Sequence, residues 1–125
     1  MPTVYIIDDD ESVRRALSRL LRSAGLDAFG FASMEAFAEA DVAGPDACVI
    51  ADVRMPGGSG LDAPELLRRI GRELPVIILT AQDTEPTRTA AKRAGAAAFF
   101  RKPVDDQALL DAIHWVLHGQ SEPRL

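Results

Sequence analysis

Val4-Tyr5-Ile6-Ile7-Asp8-Asp9-Asp10-Glu11-Ser12-Val13-Arg14 is the stretch whose reading decides the fold. An apolar, β-prone run ends abruptly at a block of carboxylates, and a helical pattern begins at once. That order sets acids at the carboxyl end of a buried strand, where open parallel α/β sheets carry their sites. Adjacent acids repel one another and resist ionising together unless a cation joins them. The bland alternative is a solvated turn with one helix cap, and the rest of the chain separates the two readings.

Working outward, Thr3–Ile7 is continuously apolar and β-branched, as expected of a strand covered on both faces. Val13, Ala16, Leu17, Leu20, Leu21 and Ala24 recur at helical spacing opposite Arg14, Arg15, Ser18, Arg19 and Arg22. This predicts an amphipathic helix, capped by Asp10 or Glu11 and closed by Gly25. Leu26–Phe31 reads as a second strand. Ser33 caps a helix to about Ala40, with Met34, Phe37 and Ala38 inward. After the turn Ala43-Gly44-Pro45-Asp46, a third apolar strand, Ala47–Ala51, stops at Asp52. A glycine-rich loop, Met55-Pro56-Gly57-Gly58-Ser59-Gly60, follows it.

Pro64 suits the first turn of a helix carrying Leu66, Leu67 and Ile70. Val76–Leu79 is the fourth strand, stopping at Thr80. Pro86 starts a helix with Ala90, Ala91 and Ala94 toward the sheet and Gly95 at its end. Ala98-Phe99-Phe100-Arg101 is a short fifth strand that stops at Lys102-Pro103. Asp105 or Asp106 caps the last helix, whose inward set is Leu109, Ala112, Ile113, Val116 and Leu117. Five strand–helix units in strict alternation predict a parallel sheet with right-handed crossovers.

Composition narrows the class. A chain of 125 residues is large enough for one domain with a real core. The net charge of -5 supplies no basic stripe to neutralise phosphates, so direct nucleic acid binding is not expected. A single cysteine, Cys48, permits no internal disulfide and fits a reducing compartment. With no signal-peptide pattern and no long apolar run, the expectation is a cytoplasmic domain without a membrane span. Residues 1–118 are expected to form the domain. Gly119–Leu125, polar and proline-containing, read as a frayed terminus or the start of a linker.

The strand ends can then be collected: Asp8 and Asp9 after the first, Asp52 after the third, Thr80 after the fourth and Lys102 after the fifth. Strands pointing one way bring these side chains to one rim. Three carboxylates make a hard-oxygen site for a divalent ion, and magnesium, Mg2+, fits best because it keeps several waters. A hydroxyl and an ammonium beside that ion are the groups needed to hold a phosphoryl group, whose transfer is mostly positioning and charge neutralisation. A carboxylate can serve as the nucleophile, giving an acyl phosphate.

The set Ile7-Asp8-Asp9-Asp10, Asp52-Val53-Arg54-Met55-Pro56-Gly57, Thr80-Ala81 and Arg101-Lys102-Pro103 resembles the receiver domain of two-component response regulators, from Val4 to about Leu117. Asp83-Thr84-Glu85-Pro86 is similar to the nitrogen-fixation and nitrogen-regulation subfamilies. The resemblance implies a flavodoxin-like, doubly wound five-stranded parallel sheet of order 2-1-3-4-5 with five helices. It implies that Asp52 accepts a phosphoryl group from a sensor histidine kinase, and that Asp9, Asp52 and the backbone carbonyl of Arg54 bind magnesium. Asp8 acts mainly through a bound water. Lys102 pairs with the site's carboxylates and then with the phosphoryl group, and Thr80 donates its hydroxyl to it. Phe99 occupies the switch aromatic position, and the Lys102–Pro103 peptide is implied to be cis. Phosphorylation then alters the face of the fourth helix, fifth strand and last helix, which binds an output domain or a second receiver, with a phosphorylation-dependent dimer possible in the family. Such a domain is not an enzyme beyond self-catalysed phosphorylation and dephosphorylation.

Each residue also has a plainer reading. Asp10 is better taken as a helix cap than a ligand. Lys102 alone is an ordinary surface lysine, and Thr80 alone a turn cap. Phe99 and Phe100 must face opposite ways, so only one shares the layer of the site. His114 and His118 share a helix face, but with no third ligand in view they read as a solvated face. Trp115 lies off the inward stripe and reads equally as an interface or an edge-of-core residue. Arg54 and Gln82 hold the variable positions flanking the site. Two rival functions remain: a degenerate receiver acting as a constitutive binding module, and a magnesium-dependent phosphohydrolase. The second is disfavoured because Arg54 stands where that chemistry places a second acid.

Overall fold

A computed structural model describes residues 2–40, 46–54, 59–72, 74–81 and 83–118. Strands and helices alternate as β1 (Thr3–Ile7), α1 (Glu11–Ser23), β2 (Asp27–Phe31), α2 (Met34–Glu39), β3 (Ala47–Ala51), a 3-10 turn (Gly60–Asp62) running into α3 (Ala63–Arg69), β4 (Val76–Thr80), α4 (Glu85–Ala94), β5 (Ala98–Arg101) and α5 (Asp106–Leu117). The sheet is parallel throughout, in the order β2-β1-β3-β4-β5. This is the doubly wound flavodoxin-like fold expected from the sequence. Because the order reverses between β1 and β3, a crevice opens at their carboxyl ends.

Alternation along each apolar strand sorts its residues into two cores. Tyr5, Ile7, Val49, Ala51, Val76 and Ile78 pack with Phe37, Leu67 and Ala91 of α2, α3 and α4. Val4, Ile6, Ile50, Ile77 and Leu79 pack on the other face with Leu17, Leu21, Leu109 and Ile113 of α1 and α5. That two-sided burial is why β1, β3 and β4 read as unbroken apolar runs rather than as alternating ones. Side-chain caps start the helices: Asp10 accepts the Ser12 N–H at 2.8 Å, Ser33 the Ala36 N–H at 3.1 Å, and Asp105 the Ala108 N–H at 3.0 Å. Gly25 and Gly95 follow α1 and α4 at φ 85° and 93°, the left-handed turn that ends a helix at least cost in glycine.

Some sequence expectations move. Ala16 and Ala24, assigned to the inward stripe of α1, are exposed. Ala24 is the residue that caps the helix end, and Ala16 lines an open groove between α1 and the Lys102–Val104 segment. Ile70 is 38% exposed because α3 ends at Arg69 and Ile70 only caps it. Leu26 lies just before β2. α4 starts at Glu85, one residue before Pro86, since Thr84 is its cap. Ala91 is the fully buried residue of α4, with Ala90 and Ala94 half-buried. The turn at Ala43–Pro45, the loop at Met55–Gly58, Gln82 and the tail 119–125 lie outside the described residues. Among the described residues no helix is long and apolar enough to cross a membrane.

Candidate functional site

The rim of the sheet collects the strand-terminal residues. Asp8, directly after β1, is 3% exposed, whereas its neighbour Asp9 is exposed. Asp52, directly after β3, and Thr80, the last residue of β4, are both buried. Asp8, Asp9 and Asp52 each bring a carboxylate oxygen within 4.8 Å of the others. Lys102, which follows β5, places Nζ 2.9 Å from Asp8 Oδ2 and 3.4 Å from Asp52 Oδ2. It thus bridges two buried acids from strands that are not neighbours of its own. Its main-chain N–H donates to the Thr80 carbonyl at 2.8 Å, tying the end of β4 to the lysine. The Lys102–Pro103 peptide is cis.

The three acids are not equivalent. Asp8 has both carboxylate oxygens engaged inside the protein: Oδ1 accepts the Asp10 N–H at 2.9 Å and Oδ2 accepts from Lys102. Its own N–H donates to the Phe31 carbonyl at 3.0 Å, and its carbonyl accepts from Arg14 Nη1 at 2.7 Å. Among the described residues, Asp52 Oδ1 receives only a long contact from the Arg54 N–H, at 3.5 Å. Burial pushes the Asp52 carboxyl above the ordinary aspartate range; Lys102 opposes the rise and Asp8 adds to it. Burial works against the Lys102 charge as well. The hydrogen bond and charge of Asp8, with the charge of Asp52, outweigh it and hold the ammonium above the ordinary lysine value. An all-oxygen set with one exposed and two buried carboxylates suits a hard divalent cation.

The adjoining face carries Phe99. β4 and β5 pair Ile78 with Phe99 and Thr80 with Arg101, so Phe99 stands on the same face of the sheet as Thr80. Phe99 joins the core beneath α2, α3 and α4, and Phe100 joins the opposite one. The Arg88 guanidinium of α4 lies 5.3 Å from the centre of the Phe99 ring. Arg88 is itself held by both carboxylate oxygens of Asp83, Nη2 to Oδ2 at 2.9 Å and Nε to Oδ1.

Other candidates fall away from the rim. Asp10 caps α1. His114 and His118, both exposed at the end of α5, lie with tilted rings 4.3 Å apart between centres, and His118 Nδ1 meets the His114 carbonyl at 2.7 Å. Among the described residues, the acid trio is the single group of three or more histidine, cysteine, aspartate or glutamate side chains placed to hold an ion. Trp115 is half-buried, and its Nε1 is buried without a hydrogen-bond partner among the described residues.

Gly60 is a site residue that strand and helix patterns did not single out. Its N–H donates to the Asp52 carbonyl at 2.9 Å, and an added Cβ would stand 2.2 Å from that oxygen. Only glycine permits so close an approach. Its sequence signal was membership of the glycine-rich loop, which gave no reason to choose it over Gly57 or Gly58.

The response regulator receiver domain family matches residues 4–114 of the chain. The regulatory protein FixJ of Azorhizobium caulinodans is 40% identical over 119 residues, which is 95% of this chain and 56% of that protein. The nodulation protein W of Bradyrhizobium diazoefficiens is 38% identical over 110 residues, covering 88% of this chain and 48% of its own. The chain therefore spans about half the length of the curated relatives it matches. Among solved structures, the crystal structure of FixJ-N aligns with a TM-score of 0.86 at 29% identity, over 98% of both chains. The response regulator StyR aligns at 0.84 with 42% identity, over 94% of this chain and 59% of that one. These relatives agree with the nitrogen-fixation affinity read from Asp83–Pro86. The chain belongs to the family of receiver domains of two-component response regulators, a signalling module rather than a conventional enzyme.

Proposed function

We propose that the chain is a phosphorylatable switch in which Asp52 accepts a phosphoryl group from the phosphohistidine of a sensor kinase. The observation that carries this reading is the convergence of Asp52 with Asp8, Asp9 and Lys102 at one rim. Magnesium would be held by the carboxylates of Asp9 and Asp52 and the carbonyl of Arg54, and when bound it neutralises charge on the phosphoryl oxygens. Asp8, with both oxygens already engaged, acts on the ion through water.

In the reaction an Asp52 carboxylate oxygen forms a bond to phosphorus as the phosphorus–nitrogen bond of the donor breaks. The electron pair of that bond leaves on the imidazole. Lys102, poised 3.4 Å from Asp52, takes one phosphoryl oxygen, and the Thr80 hydroxyl donates to another. Hydrolysis returns the carboxylate when water attacks the same phosphorus. The chain supplies these groups itself, so both steps are self-catalysed.

Phosphorylation exchanges the single charge of the Asp52 carboxylate for an acyl phosphate carrying about two, a net gain of about one negative charge at the rim. Thr80 and Phe99, which share one sheet face, transmit the change to α4, β5 and α5, and that surface acts on an output domain or a second receiver. Incubation with acetyl phosphate and magnesium, followed by intact-protein and peptide mass spectrometry, tests the reading. One phosphoryl group on Asp52, absent from Asp52→Ala, is the expected result. No modification would overturn it in favour of a constitutive binding module, and the same modification in Asp52→Ala would overturn Asp52 as the acceptor.

A further inference from the structure

Arg14 belongs by its spacing to the polar face of α1, yet its side chain is half-buried and turned toward the acid cluster. Nη1 donates to the main-chain carbonyl of Asp8 at 2.7 Å, six residues back. The stem of Arg14 lies across β2 at Gly30. A Cβ added to Gly30 would stand 3.1 Å from Arg14 Cδ and 3.4 Å from its Cβ. Gly30 pairs with Ile6 in regular strand register, and its φ is not left-handed. Its glycine therefore leaves room for a side chain and relieves no backbone strain.

The peptide groups on both sides of Asp8 are thus fixed from outside the loop. The N–H on one side is bonded to the Phe31 carbonyl of β2, and the carbonyl on the other to Arg14. That carbonyl is part of the Asp8–Asp9 peptide, whose orientation sets the direction in which the Asp9 side chain leaves the backbone. Asp9 itself is exposed, so the packing that holds Asp8 does not hold it. A hydrogen bond from a charged donor is about twice as strong as a neutral one, which suits it to holding one peptide plane.

We propose that Arg14 is a positioning residue, which by fixing the Asp8–Asp9 peptide places the Asp9 carboxylate for the divalent ion, and that Gly30 is the recess admitting it. This rests on the metal reading given above, and the two are separable. The Arg14 charge acts in the opposite sense, since a cation near a bound divalent ion repels it. Loss of charge alone would tighten binding; loss of positioning weakens it.

The test measures magnesium affinity by isothermal titration calorimetry for wild type, Arg14→Ala, Arg14→Lys and Gly30→Ala, with melting curves of each in EDTA. Arg14→Ala is expected to bind magnesium about tenfold more weakly, the low end of what outer partners of metal ligands contribute. Arg14→Lys, which keeps a charged donor without the planar fork, recovers part of the loss. Gly30→Ala keeps the arginine and its charge but displaces the stem, and shows a smaller loss in the same direction even if Arg14→Ala folds poorly. Wild-type binding with unchanged or tighter affinity in Arg14→Ala and Gly30→Ala, whatever their melting temperatures, overturns the assignment and leaves the metal site standing. Absence of magnesium binding in wild type overturns both.

Discussion

Replacing Asp52 with asparagine keeps its shape and removes one charge from the rim. In metal-free buffer, full charges on Asp8 and Asp52, whose carboxylate oxygens lie within 4.8 Å, repel by at least about 3.5 kcal/mol at an effective dielectric of about 20. On the same basis, Lys102 at 3.4 Å attracts Asp52 by about 5 kcal/mol. With the solvent-screened repulsion from exposed Asp9 added, these opposing contributions nearly cancel. The desolvation of a carboxylate that is 9% exposed then decides the sign. Burial is the leading reason the Asp52 carboxyl stands above its ordinary range.

Asparagine is therefore expected to stabilise the metal-free protein at neutral pH. The gain is about 1–2 kcal/mol, well below the several kcal/mol of full ionic burial because the rim is partly screened. For a chain of this length that corresponds to a rise of roughly 4–8 °C in Tm. The pH dependence has a definite sign. A folded-state pKa above the unfolded one penalises the folded carboxylate fully at neutral pH, and the penalty fades as pH falls through the folded pKa and below the unfolded one. The advantage of Asp52→Asn should fade in the same window. Calorimetric melts in EDTA from neutral to acid pH measure it. A variant that melts at or below wild type at pH 7, or whose advantage persists undiminished in acid, would refute the reasoning.

Magnesium should raise the wild-type Tm by mass action, about 2.7 kcal/mol of stability at one hundred times its dissociation constant, and Asp9→Asn should abolish most of that rise. Lys102→Ala should lower the metal-free stability by about 1–3 kcal/mol through the unpaired, buried Asp8, while tightening magnesium in calorimetric titration because a competing cation is gone. Gly60→Ala should cost about 1–3 kcal/mol or more in chemical denaturation, since the new methyl meets the Asp52 carbonyl and that backbone must shift. Phe37→Ala, which empties a fully buried aromatic position beneath β1 and β2, should cost about 3–5 kcal/mol in the same assay.

Much of the molecule is legible in its sequence. Strict alternation of apolar strands and amphipathic helices identified the parallel sheet, and short polar residues at helix starts identified the caps. These signals are local: strand, cap and turn preferences act over a few residues. The strand-terminal positions of Asp8, Asp52, Thr80 and Lys102 were equally plain, because each directly follows or closes an apolar run. Ile70 and Ala24 were misplaced at element edges, where helical spacing continues on paper after the backbone has left the helix, and Ala16 was misplaced within α1, where it faces an open groove.

Tertiary structure decided what depends on neighbours distant in sequence. Which acid is buried and which is exposed follows from Phe31 on β2 and from Lys102, 94 residues beyond Asp8. The choice of Phe99 over Phe100 for the face of Thr80 follows from the register of β4 with β5, which alternation alone left open. Gly60 and Arg14 were invisible for a related reason. Each is defined by the one carbonyl it meets, that of Asp52 for Gly60 and that of Asp8 for Arg14, and such close approaches leave no periodic trace in the chain.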